Sequence, residues 1–297
     1  MGAALSQASR AARDVFETVD EALGQNLFRL MRDGPEDQLK LTENAQPAIM
    51  AHALSVFAAL TREGGVSLEK AAQFVAGHSL GEYSALCAAG SFDLATTAKL
   101  LKLRGQAMQA AVPVGVGAMA ALLGADVELA QKIADAAAQG EVCAVANDND
   151  PGQVVLSGHT GAIERAIAMA KGMGAKRAVS LPVSAPFHCP LMQPAAEAME
   201  KVFGETRFCA PAVPVYANVT AEAERDPETI QRLLVEQVTA MVRWRESIAN
   251  MATAGVDEFV ELGGKVLGPM VKRIAPDVKV TSVVTIDDIE ALAKEIA

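Results

Sequence analysis

The sequence predicts an α/β protein in which a mostly parallel sheet with flanking helices is interrupted by a ferredoxin-like unit. Three observations carry this reading. Short apolar runs alternate with longer stretches of helical periodicity along most of the 297 residues. Between 117 and 183 the alternation takes the order β-α-β-β-α-β. Gly77-His78-Ser79-Leu80-Gly81 stands where a strand-like run meets a helical one, the setting a nucleophile on a sharp turn requires.

The elements follow in chain order. Leu5, Ala8, Ala12, Val15, Phe16, Val19 and Leu23 recur at helical spacing, and Gly24 can stop that helix. A second helix is predicted over 46–61, with Pro47 in its first turn. Residues 71–76 read as a strand, 80–89 as a helix after the Gly77–Gly81 turn, and 94–111 as a helix ended by Pro113 and Gly115. Within the inserted unit, strands are expected at 119–123, 142–146, 153–156 and 178–183, helices at 127–138 and 161–171, and a turn over Asn147–Gly152. Beyond it, 213–219 and 256–262 read as strands and 227–241 and 245–254 as helices. The expected domains are therefore 1–116 with 184–297, and 117–183 inserted between them.

Composition narrows the function. Hydrophobic residues make up 51% and charged ones 21%, enough to build a packed core and exclude global disorder. The net charge of −10 repels a phosphate backbone, so nucleic acid is excluded as a partner. The uncharged stretch from Gly105 to Ala125 is broken by two glutamines, a proline and glycines, which argues against a membrane span. Cys87, Cys143, Cys189 and Cys209 form no C-x-x-C clip; a reducing, cytoplasmic compartment and no metal are expected.

The chemistry centres on Ser79. A turn of this kind leaves little room for a Cβ beside the serine and lifts its hydroxyl to a helix N-terminus, where backbone N–H groups can stabilise an oxyanion. Serine is a weak nucleophile and needs a base. Of the four histidines, His52 reads as a helix residue, His78 as pointing away from its neighbour Ser79, and His159 as a turn residue. His188 lies between Pro186 and Pro190 in a stiff, non-helical segment suited to aiming one side chain, and is the expected base. Arg104, amid Leu100, Leu101, Leu103 and Met108, reads either as an exposed helix arginine or as a guanidinium fork for a substrate carboxylate.

Further spaced matches make the resemblance more specific than the elbow alone. They are Gly34-Pro35-Glu36, Gln46-Pro47-Ala48, GHSLGEYSAL from Gly77 to Leu86, Arg104-Gly105, Asn147-x-Asn149-x-Pro151-Gly152-Gln153, Pro182-Val183-Ser184 with His188, Gln237 before Trp244, and Gly264-Lys265-Val266-Leu267. On these the chain resembles the malonyl-CoA:acyl-carrier-protein transacylases of fatty-acid synthesis, almost end to end. The resemblance implies a hydrolase-like α/β domain with a ferredoxin-like insert. It implies Ser79 as nucleophile, His188 as base oriented by a carbonyl at Gln237, Arg104 on the malonyl carboxylate and the Leu80 N–H as an oxyanion donor. Phe187 would line a pocket fitted to malonyl. Acyl carrier protein and malonyl-CoA would be the partners of a monomer needing no cofactor, with Lys171, Lys176 and Arg177 as candidates for docking the acidic carrier.

Two departures from the family pattern stand out. The family's opening strand and Phe-Pro-Gly-Gln-Gly-Ser-Gln loop precede the point where this sequence begins, so a start assigned too far downstream is expected; Leu262-Gly263-Gly264 is one residue shorter than the usual turn. The alternatives are a serine esterase with a third triad acid not located in the sequence, and a non-catalytic module that binds carrier protein.

Overall fold

The computed structural model describes residues 1–183 and 185–296. The first third is helical: α1 (Ala3–Ala8), α2 (Arg10–Leu23), α3 (Leu27–Asp33), α4 (Glu36–Lys40) and α5 (Thr42–Ala58), which runs on as a π-helical turn over Ala59–Glu63. The helical spacing that runs from Leu5 to Leu23 is divided between α1 and α2. Ser9 is extended and its hydroxyl accepts from the Ala12 N–H, so it caps α2, while Gly24 at φ 57° ends that helix as predicted. Helix α5 starts four residues before Gln46, which leaves Pro47 inside it rather than in its first turn.

The strand expected over 71–76 shrinks to β1 (Val75–Ala76): α6 (Leu68–Ala71) takes Ala71, and residues 72–74 belong to no helix or strand. After it come α7 (Leu80–Ala88) and α8 (Leu94–Ala110), the latter capped by the Asp93 carboxylate on the Thr96 N–H.

The inserted unit consists of β2 (Gly117–Leu123), α9 (Val127–Ala138), β3 (Cys143–Asp150), β4 (Gln153–His159), α10 (Thr160–Met173) and β5 (Arg177–Ser180). Its sheet order is β3-β4-β2-β5 and every neighbouring pair is antiparallel. That is the ferredoxin-like topology the β-α-β-β-α-β order predicts. The side chains of Ala120, Leu122, Ile133, Leu156 and Ile163 fill its own core.

One part of the unit differs from expectation. Residues 147–150 continue β3 with two register shifts instead of turning, and only Pro151 and Gly152 make the turn. The reason is tertiary: polar side chains that would favour a turn in isolation find partners in the other part of the chain. Asp148 pairs with Arg245 at 2.8 Å, Asp150 with Arg273 at 2.7 Å, and Asn149 bonds His78 at 2.9 Å. The main chain adds Asp148 N–H to Val242 O and Val242 N–H to Ala146 O. These contacts join the insert to the remainder beside Ser79.

A short 3₁₀ turn (Pro190–Met192) leads to α11 (Gln193–Phe203), β6 (Val215–Tyr216), β7 (Ala223–Glu224), α12 (Pro227–Gln237) and α13 (Trp244–Thr253). The chain closes with β8 (Glu258–Leu262), α14 (Leu267–Ile274), β9 (Lys279–Val283) and α15 (Ile286–Ile296). Strand β1 runs parallel to β6 and β8 parallel to β9, while β7 adds an antiparallel edge. The large core between the helices holds Phe16, Leu27, Met50, Tyr83, Leu86, Leu101 and Phe203. Among the described residues no helix is long and apolar enough to cross a membrane.

The Asp148 carboxylate is nearly buried while its Arg245 partner is partly exposed. Arg245→Ala should therefore leave a buried charge unpaired and lower unfolding stability by about 1–3 kcal/mol. A chemical-denaturation midpoint identical to the parent would show that this pair does not hold the insert.

Candidate active site

The Gly77–Gly81 turn is built as the sequence requires, with one amendment. Ser79 sits at φ 51° and ψ −111°, a left-handed conformation rare for a side-chain-bearing residue. A Cβ on Gly77 would lie 2.0 Å from the carbonyl carbon and oxygen of Gly81, so no larger residue fits there. A Cβ on Gly81 would meet nothing within 4 Å; only the first glycine of the motif is sterically obligatory. Asn218, just after β6, braces the turn on both sides: its Oδ1 accepts from the Ser79 N–H at 2.7 Å and its Nδ2 donates to Gly77 O at 2.8 Å. Leu80 opens α7, so its N–H is among those without an intrahelical partner, beside the Ser79 hydroxyl.

His188 reaches the same point from the loop before the 3₁₀ turn, buried and at φ 57°. Its Nε2 lies 2.8 Å from Ser79 Oγ and its Nδ1 2.8 Å from Gln237 O. A carbonyl only accepts, so Nδ1 carries the proton and Nε2 presents its lone pair to the serine. Gln237 ends α12, and the last carbonyls of a helix have no intrahelical partner, which leaves this one for His188. The helix predicted to run to Met241 therefore stops at Gln237.

Arg104 is 1% exposed, which decides between its two readings: it is not a surface arginine. Its Nη1 donates to Gln46 Oε1 at 2.7 Å, and its Nη2 to Gln237 Oε1 at 2.9 Å and Ser79 Oγ at 3.2 Å. Gly105 allows this approach, since a Cβ there would come within 2.5–2.7 Å of the Thr42 and Glu43 main chain. The cation is thus held by neutral oxygens, and Arg104 forms none of the ion pairs among the described residues.

Of the other histidines, His52 and His78 take the structural places expected of them, while His159, expected in a turn, ends β4 opposite Gly117. His78 Nε2 bonds Asn149 and its ring lies 5.7 Å from that of Trp244; His159 Nδ1 accepts from the Val142 N–H; His52 is buried in α5. Phe187 packs partly buried between the main core and the insert residues Met119, Ala121, Ala146 and Val155. Among the described residues no group of three or more His, Cys, Asp or Glu side chains is placed to hold a metal ion. Ser184, part of the Pro182-Val183-Ser184 match and the expected start of the second catalytic segment, lies outside the described residues, as does Ala297.

The acyl transferase domain family matches residues 1–266. Malonyl CoA-acyl carrier protein transacylase of Escherichia coli (strain K12) is 44% identical over 262 residues, covering 88% of this chain and 84% of that protein. The protein of the same name from Bacillus subtilis (strain 168) is 40% identical over 292 residues, covering 98% and 90%. This chain belongs to the malonyl-CoA:acyl carrier protein transacylases.

Solved structures of transacylases agree with the fold. The acyl-carrier-protein-S-malonyltransferase from Bartonella henselae superposes with a TM-score of 0.97 at 50% identity, covering 100% of this chain and 94% of that one. A malonyl-transacylase in complex with its type II PKS acyl-carrier protein superposes with a TM-score of 0.95 at 37% identity, covering 99% and 94%.

The electrostatics of this transacylase site follow from burial. Burial, and next the Arg104 charge, push His188 down to about 3, so the imidazole is neutral and proton-accepting at any ordinary pH. Burial raises Glu82 to about 7, against hydrogen bonds from Asn218 and Gln237 and the pull of Arg104. Burial also lowers Arg104, which stays a cation because guanidinium deprotonates only at extreme pH.

Sequence reasoning passed over Gln46, Glu82 and Asn218 as site residues. Gln46 and Glu82 were visible as polar side chains on otherwise apolar helical faces, a pattern that calls for buried partners. Asn218 carried no such signal, because its role depends on β6 lying beside β1.

The glycine geometry gives a paired test. Gly77→Ala should cost about 3 kcal/mol or more through the clash with Gly81, whereas Gly81→Ala, in an open helical position, should be neutral within about 1 kcal/mol. Melting temperatures of the two variants should separate widely; equal values would contradict the packing described at Gly77.

Proposed function

We propose that the chain transfers a malonyl group from malonyl-CoA to the phosphopantetheine thiol of acyl carrier protein through an ester on Ser79, as a step in making fatty acids. The observation that carries this reading is a buried guanidinium whose hydrogen bonds go to neutral oxygens, 3.2 Å from a serine that is itself 2.8 Å from an imidazole. A cation in such a place penalises an acyl group that cannot pair with it and favours one ending in a carboxylate.

The roles follow from donor and acceptor logic. Ser79 Oγ attacks the thioester carbonyl while His188 Nε2 takes its proton; the Gln237 carbonyl, on Nδ1, keeps the imidazole in the right tautomer and steadies the imidazolium. The Leu80 N–H donates to the oxyanion, a contact typically worth about a hundred- to a thousandfold in rate. As the carbon–sulfur bond breaks, His188 returns the proton to the CoA sulfur, leaving malonyl-Ser79. The carrier thiol then gives its proton to His188, its sulfur attacks the ester, and Ser79 recovers its hydrogen. Arg104 holds the malonyl carboxylate throughout, and pairing with it weakens the field that depresses His188, so the base strengthens when the correct substrate is bound. Phe187 forms the pocket wall against bulkier acyl groups.

On this reading 1–116 and 184–297 form the catalytic domain and 117–183 the insert, with Lys171, Lys176 and Arg177 supplying local positive charge for an acidic carrier. On the same reading the reaction runs in the cytoplasm, a reading supported by the four free cysteines, which a reducing compartment keeps unpaired. The esterase alternative required a third acid; the partner of His188 Nδ1 is a main-chain carbonyl instead.

Malonyl-CoA should add the mass of one malonyl group to the intact protein, and Ser79→Ala should abolish it. Arg104→Ala should cut malonyl acylation about a hundredfold or more while sparing acetyl acylation; loss of both to the same degree would remove the carboxylate-selecting role. Because the depressed His188 stays neutral down to about pH 3, acylation by acetyl-CoA should show no acid limb near the ordinary imidazole value of about 6.5. A half-maximal rate near that value would place the base elsewhere.

A further inference from the structure

Glu82 lies three residues beyond Ser79 on α7, is 1% exposed, and forms none of the ion pairs among the described residues. Its Oε2 accepts from Gln237 Nε2 at 2.8 Å and from the Asn218 N–H at 3.1 Å. We propose that Glu82 is a positioning residue for the acyl-selecting cation: by accepting from Gln237 Nε2 it fixes which end of that amide faces Arg104.

The argument is one of obligatory roles. An ionised carboxylate only accepts and a guanidinium only donates, so an amide between them has one orientation that satisfies both. Nε2 must face Glu82 and Oε1 must face Arg104 Nη2, the arrangement seen, with Nε2 also 3.1 Å from Ser79 O. Reversed, the amide would turn its NH₂ group toward the guanidinium, and Arg104 would lose one of the oxygens that aim it at the acyl group. The same carboxylate steadies Asn218, whose Oδ1 holds the Ser79 N–H, so cation and nucleophile share one anchor.

The ionisation state of Glu82 then matters. The charged or titratable groups around it are Arg104 from α8 and Tyr83 beside it on α7; Asn218 and Gln237, which approach from beyond β6 and from α12, are neutral. Burial raises Glu82 to about 7, so the purely accepting anion prevails above neutrality and is lost below it. Once protonated, Glu82 has an O–H that can donate to Gln237 Oε1 and stabilise the reversed amide. Preference for a carboxylate-bearing acyl group should therefore fall as the pH drops through neutrality.

The inference rests on the malonyl-transfer reading, and the test separates the two. Acylation of Ser79 is measured with malonyl-CoA and acetyl-CoA, and the ratio of their kcat/KM values is followed between about pH 6 and about pH 8.5. The pH dependence of kcat/KM reports the free enzyme, whose His188 is the same for both substrates, so its titration cancels from the ratio. In the parent protein the ratio should fall about tenfold toward acid. Glu82→Gln keeps the shape but can present either end to Gln237; its ratio should be about tenfold lower at alkaline pH and flat across the range, whatever happens to the two absolute rates through the shared Asn218 brace. A flat ratio in the parent, or a parent-like ratio in Glu82→Gln, overturns the proposal. Should that variant not fold, the parent profile decides alone. If neither thioester acylates the parent protein, the malonyl-transfer reading fails first and this inference falls with it.

Discussion

A guanidinium sealed from solvent is the constraint around which this site is organised. Taking an arginine charge out of water is costly unless oxygens replace the lost hydration. Here Gln46 Oε1, Gln237 Oε1 and Ser79 Oγ replace it. Amide and hydroxyl oxygens accept from Nη1 and Nη2 without neutralising the charge, and Nε has no partner, so the site keeps an unmet attraction for an anion. The same positive charge lies beside the Ser79 hydroxyl and near the His188 imidazole, where it favours negative charge on an oxygen and the unprotonated ring.

Gln237 converts that constraint into geometry. Its side chain touches Arg104, Glu82 and the Ser79 main chain, while its carbonyl, free because α12 ends there, orients His188. One residue at a helix terminus thereby sets His188, Arg104 and Ser79 relative to each other. The strained turn at Ser79 is held by Asn218 and by the bare Cα of Gly77, so distant segments over-determine a conformation that the local sequence alone would not keep.

The insert is tied to this centre by three consecutive β3 residues. Asp148 and Asp150 take arginines from α13 and α14, and Asn149 between them takes His78, the residue before Ser79. Pro186 packs where a side chain on Gly117 would stand, so the two chain crossings between the parts lie against each other. The small sheet is therefore held against the elbow by bonds that end one residue from Ser79.

Much of this was legible from the residues alone wherever the physics is local. The strand-turn-helix around Ser79 follows from glycine spacing, the ferredoxin-like order from alternating apolar runs, and the end of α2 from Gly24. The choice of His188 followed from its prolines, and its pairing with Gln237 came from resemblance to the transacylases. Pairings between segments far apart in sequence were not legible. Whether Arg104 was exposed or buried depended on α8 closing against α5 at Gly105; residues 147–150 became strand only because arginines beyond position 240 reached them; and Gln46, Glu82 and Asn218 gained roles only once β1, β6, α5 and α12 met. Periodicity and turn chemistry act over a few residues and so are written into the sequence, whereas the partners of a buried polar group are set by packing, which only the tertiary structure decides.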